Sequence, residues 1–168
     1  ASGLKSQFGT MGKPFHAGMA AANGIEAALL ASHGFVSRPD GIECVQGFIE
    51  THHGEAADVA GSLEGLGRSW RFEAVQHKYH ACCHGTHAGL EALHMLRREG
   101  LDAAEIASVT LRVNPRWLRV CNIPAPMTGL EAKFSYRLTT AMALTGLETG
   151  ALSTFSDAAC ADAGLVAL

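Results

Sequence analysis

The amino-acid sequence predicts an α+β chain, a helical segment followed by a smaller lobe that mixes helices with strands. Three observations carry this reading. Residues 9–35, "GTMGKPFHAGMAAANGIEAALLASHGF", are small or apolar nearly all round between turn-forming ends. Residues 69–76 and 106–115 alternate apolar with polar side chains, the period of half-buried strands. Residues 86–100 and 132–144 return to helical composition. The order helix, helix, strand, helix, strand, strand, helix favours an antiparallel or mixed sheet beside a helical segment.

Taken in chain order, Pro14 suits the first turn of the opening helix and Gly34 its C-terminal stop. Because the helix is apolar on most faces, it is expected to be buried, and Gly18, Ala21, Ala22 and Ala28 would let neighbours approach closely. A second helix is expected over "DGIECVQGFIETHHG", beginning after Asp40. The character changes near Gly65–Gly67. "SWRFEAVQ" sets Trp70, Phe72 and Ala74 against Arg71 and Glu73 as a strand. "THAGLEALHMLRREG" reads as a helix capped by Thr86 and stopped at Gly100. "IASVTLRVNP" alternates through Val109, Leu111 and Val113, and "RWLRVCNI" is a weaker strand candidate. The turn-rich "PAPMTG" leads into a helix over roughly 132–144, and the tail suggests one more.

The chain has 168 residues, 48% of them hydrophobic and 17% charged, the balance of a soluble globular protein with one core or two small lobes. A net charge of -3 offers no general attraction to nucleic acid or to an anionic membrane. Neither a long apolar run nor a signal-like N-terminus is visible, so the expected location is cytoplasmic. Cys44, Cys82, Cys83, Cys121 and Cys160 are odd in number and irregularly spaced, which argues for reduced thiols. Lysine is scarce: Lys5, Lys13, Lys78 and Lys133 stand among 13 basic residues. Each is therefore informative, because burial shifts a lysine's pKa and leaves an arginine charged.

The chemistry gathers at three junctions where a loop enters a helix. "QHKYHACCHGTHA" (76–88) crowds histidines and adjacent cysteines around Lys78. Zinc normally takes two separated pairs of ligands, a grammar not met here, so no metal site is expected. The remaining readings are a solvated helix start or an anion cradle, with Lys78, His84, Thr86 and His87 around free backbone N–H groups. "GTMGKPFHAG" places Lys13 before a helix start and His16 one turn in, without the order of a phosphate-binding P-loop. "TGLEAKFSYRL" places Lys133, Ser135 and Tyr136 at the start of the last clear helix. Each junction alone is weak; three of them, each with a lysine, suggest anion binding.

These three stretches, in this order, resemble signatures of the MmgE/PrpD family, which includes 2-methylcitrate dehydratase, cis-aconitate decarboxylase and iminodisuccinate epimerase. "HKYHACCHGTHAGLEA" is similar to the family's K-x-[YF]-P-x-x-x-x-T-H segment, and "PAPMTGLEAKFSYRLTTAMAL" to its P-x-T-x-x-E-A-x-F-S segment. The departures are His80 and Ala81 in place of an aromatic residue and proline, and Gly12 where a hydroxyl residue is common. The resemblance implies a central fragment of a longer protein: residues 1–66 from a helical domain, 67–146 an α+β lid domain, and 147–168 the return to the helical domain. It implies catalytic roles for Lys13, Lys78, His87 and Tyr136, with His16, His84, Thr86, Lys133 and Ser135 around the substrate.

The implied activity is a lyase reaction of the 2-methylcitrate dehydratase type on a small polycarboxylate, without a metal or other cofactor. A family epimerase or decarboxylase is the alternative. So is a non-catalytic remnant or subunit, because the apolar helix after Lys13 exceeds what this chain covers. A homodimer, or a partner chain supplying helices, is expected on the same ground.

Overall fold

The computed structural model describes residues 3–53, 61 and 64–168. They fall into two compact units, one built from the chain up to Ala20 together with Lys78–Leu168, the other from the described part of Ala21–His77.

Helix α1 spans Gly12–Ser32. The Thr10 hydroxyl accepts the Gly12 N–H at 3.1 Å and so opens it, and Pro14 sits in the first turn as its fixed φ allows. At the other end Gly34 takes a φ of 83°. That left-handed turn lets the Phe35 N–H reach Leu30 O at 3.0 Å and the Gly34 N–H reach Ala31 O at 3.0 Å, a glycine-terminated helix end. The expected burial of α1 does not occur: none of its residues is buried. Phe15, Ile25 and Leu29 are 64%, 65% and 56% exposed.

In the second unit, the helix expected from Asp40 is interrupted. Gln46 has a φ of 61°, which no right-handed helix tolerates. Helix α2 therefore begins later and spans Phe48–His53; Gly54, the last residue of the expected helix, lies outside the described residues.

The first unit is built on α3 (His84–Arg98), α4 (Pro115–Leu118), α5 (Gly129–Ala132), α6 (Tyr136–Thr145), α7 (Asp157–Ala161) and α8 (Ala163–Val166). Leu90 and Leu93 of α3 join Leu138, Ala141, Met142, Ala143 and Leu144 of α6, with Phe155 and Leu165 closing the cluster. Arg97 near the end of α3 donates to Ala143 O at 3.1 Å. Most of these helices are too short to persist alone, and polar caps help define their starts. Asn114, Thr128, Ser135, Ser156 and Asp162 each accept a backbone N–H of the helix that follows.

This architecture corrects the α+β expectation. Among the described residues there is no strand; the pairing present is an isolated antiparallel bridge between Asn122 and Ser135. Arg71–Ala74 is a 3-10 turn, and Trp70 and Phe72 are 61% and 83% exposed. Their alternation therefore finds no sheet to bury one face. Residues 106–114 form no strand: Ile106 packs on the core cluster, Leu111 lies over Gly89 of α3, 3.4 Å from where its Cβ would stand, and Val109 is exposed. A period of two cannot by itself distinguish such isolated contacts from a sheet. "RWLRVCNI" opens as helix α4, because Asn114 caps it and Pro115 supplies a helical φ. The described residues are thus helical without a sheet. Among the described residues, no helix is long and apolar enough to cross a membrane.

Candidate functional site

A cavity of about 440 Å³ lies within the first unit, lined by Lys13, Lys78, Lys133, His80, Cys83 and Phe134 among others. It begins with a backbone strap. Ala81 donates its N–H to Thr149 O at 2.8 Å, and Cys83 donates to Lys133 O at 2.9 Å. These bonds anchor residues 81 and 83 just before α3 begins at His84. The three loop-to-helix junctions singled out by sequence therefore meet at one place.

Each lysine is held differently. Lys13 Nζ stands 5.6 Å from the centroid of the Phe8 ring and 5.7 Å from that of Phe134, two rings stacked 5.5 Å apart. Lys78 Nζ donates to Cys82 O at 3.1 Å. Lys133 Nζ lies 5.8 Å from the Phe155 ring centroid. Aromatic faces and a carbonyl steady the ammonium groups without neutralising them. The described lining contains no Asp or Glu, so the three positive charges have no carboxylate counter-charge within it. A cleft lined by charges of one sign focuses its field on an incoming anion.

His80 is buried and reaches the cavity lining. Its Nε2 lies 2.9 Å from Glu91 Oε1, and its Nδ1 lies 2.7 Å from the Thr149 hydroxyl. A carboxylate only accepts, so in the neutral ring Nε2 carries the proton and Nδ1 accepts from Thr149. His94 Nε2 lies 3.3 Å from that same hydroxyl and supplies the donor that completes it. The chain of bonds runs from His94 through Thr149 and His80 to Glu91. His87 packs edge-on against His80, with ring centroids 5.0 Å apart. Its Nε2 is buried without a hydrogen-bond partner among the described residues. Burial first, and then His80 and His84, push its pKa down. Among the described residues, no group of three or more His, Cys, Asp or Glu side chains is arranged to hold a metal ion.

The cysteines divide sharply. Cys82 is buried, its Sγ 3.0 Å from the Thr86 hydroxyl, and burial raises its pKa. Cys83 lines the cavity. Its pKa is lowered to about 6, chiefly by a hydrogen bond from Cys121, with the Gly85 amide, Lys78 and Lys13 in support and burial opposing. Cys121 is fully buried, and its pKa is raised because it gives its proton to that bond.

Of the site residues expected from sequence, Lys13, Lys78 and Lys133 line the cavity, and the others stand elsewhere. Thr86 is buried and donates to Cys83 O at 2.7 Å; Cys83, not Thr86, occupies the N-cap position of α3. Ser135 caps α6 through the Leu138 N–H at 3.2 Å. The Tyr136 hydroxyl donates to Gly85 O at 2.9 Å, and burial raises its pKa to about 12. His84 is exposed, its ring centroid 5.3 Å from that of His87. His16 packs against Gly3. Cys83 received no role from the sequence, although its place five residues after Lys78 was visible there.

The family model of the MmgE/PrpD C-terminal domain matches residues 80–168, more than half of the chain. The chain belongs to the MmgE/PrpD family. No curated protein matches it. Within this MmgE/PrpD chain the matched region contains His80, Cys83, His87, Lys133 and Tyr136, while Lys13 and Lys78 precede it. The cavity is thus lined from both sides of the boundary at residue 80.

Proposed function

We propose that this chain forms the carboxylate-binding face of an active site that removes a proton next to a carboxylate of a small polycarboxylate, as in dehydration of the 2-methylcitrate type. The convergence of Lys13, Lys78 and Lys133 on one cavity without an opposing carboxylate supports this reading. Deprotonation beside a carboxylate moves negative charge onto its oxygens. Fixed ammonium groups stabilise that charge more than they stabilise the bound acid, which is what accelerates the step. Family membership supports this choice of reaction class. His80 is the imidazole of the lining; with both ring nitrogens engaged by Thr149 and Glu91, it can take up a substrate proton only when one of these bonds breaks.

Incubation with citrate-type acids in D2O tests it. Elimination with formation of an unsaturated acid is the expected result. Deuterium incorporation without elimination points to epimerisation, the same abstraction without a leaving group. Absence of both exchange and carboxylate binding would sink the proposal.

A second reading, in which the site is completed by a second copy of this chain or by a partner chain, rests on α1. Phe15, Met19, Ile25, Leu29 and Leu30 remain exposed along it, more apolar surface than one helix of a monomer normally leaves to water.

A further inference from the structure

We infer that Cys83 is a covalent capture site, whose thiolate adds to the double bond of an unsaturated dicarboxylate held by Lys13, Lys78 and Lys133. The inference rests on the carboxylate-binding reading and goes beyond it, since elimination itself requires no thiol.

The geometry selects one sulfur of five. Cys83 lines the cavity that all three lysines line. Its neighbour Cys82 also contributes to the lining, but it is buried and its Sγ is engaged by the Thr86 hydroxyl at 3.0 Å. Cys121 is fully buried beside Gly85, where an added Cβ would lie 2.9 Å from its Sγ. The backbone fixes Cys121 further, because Tyr136 donates to its carbonyl at 2.9 Å. The Cys121 thiol, with Lys78 and Lys13, lowers the Cys83 pKa, and the thiolate is the nucleophilic form. Cys44 and Cys160 do not line the cavity.

The step balances without an oxidant or a leaving group. The thiolate forms a carbon–sulfur bond at the β-carbon and the π bond breaks. Its electron pair passes to the α-carbon and the adjoining carboxylate, and the α-carbon then takes a proton from water. Dianions of this kind are poor acceptors in water, because their own charge repels a thiolate. Ammonium groups against the carboxylates remove that repulsion and stabilise the charge that develops.

Maleate is the probe, with the adduct located by peptide mapping of the unmutated chain. One dicarboxylic acid on Cys83 is expected, lost in Cys83→Ser, kept in Cys82→Ser, and suppressed by excess citrate. The labelling rate should be half-maximal near pH 6, where this thiol ionises. Iodoacetate should be favoured over iodoacetamide at Cys83 roughly tenfold more than at Cys160, because only the former carries charge for the lysines. The same mapping separates two failures. If citrate shields Cys83 from iodoacetamide but maleate leaves no adduct, covalent capture is overturned and carboxylate binding stands. If citrate gives no shielding and maleate no adduct, both fall. Equal maleate labelling of Cys83 and Cys160 would also overturn the inference.

Discussion

Gly129 opens α5, and a Cβ there would stand 2.2 Å from Phe155 O and 2.9 Å from Ser156 Cα. Those atoms are backbone, so no rotamer change relieves the clash. The Gly129 N–H also donates to Asp157 Oδ1 at 2.7 Å, which ties α5 to the start of α7. Gly129→Ala is therefore expected to cost about 1–3 kcal/mol in urea denaturation, and an unchanged midpoint would show that the two segments separate easily. At this scale the sequence was partly legible. Lysine scarcity singled out Lys13, Lys78 and Lys133 as informative residues. Cys83 was not legible as a cavity thiol, because Cys82 and Cys83 both contribute to the lining and only tertiary packing, which buries Cys82 with its Sγ against the Thr86 hydroxyl, tells them apart.

Helix starts and stops were legible where a single residue dictates the backbone. Gly34 and Gly100 end α1 and α3 with φ of 83° and 100°, as glycine permits and other residues resist. The strands expected over 69–76 and 106–115 do not form, since alternation contains no information about a ladder partner, and Leu111 instead meets α3 beside Gly89. The amphipathic face of α3 was readable, but its partner was not. Leu90 is fully buried in the cluster it shares with Leu138 and Met142 of α6. Leu90→Ala should lower stability by about 2–5 kcal/mol through lost contacts and a residual cavity. A loss under about 1 kcal/mol, the range of surface substitutions, would mean that α3 and α6 do not share a core. Because α3 also begins where the cavity strap ends, the same variant should reduce citrate binding in proportion to the fraction unfolded.

For the molecule as a whole, the uncovered length of α1 makes association a testable expectation. Sedimentation should show a concentration-dependent increase in mass, reversed by Ile25→Glu with Leu29→Glu, which places charge on exposed apolar positions of α1. A monomer at all concentrations would remove the case for a second copy and leave a different chain as the candidate. The apolar composition of α1 was plain from residues 14–33, but composition cannot say whether such a helix is buried by its own chain. By itself the sequence determined the glycine-terminated ends of α1 and α3, the scarcity of lysine, the reduced state expected of the cysteines and the likeness to the MmgE/PrpD family, all properties of local backbone preference or residue identity. The tertiary structure decided that the alternating segments form no sheet, that three distant lysines share one cavity, and that Cys83 belongs with them. Those outcomes depend on contacts such as Cys83 with Lys133 and Ala81 with Thr149, whose partners lie 50 and 68 residues apart in the sequence and beyond the reach of any local pattern.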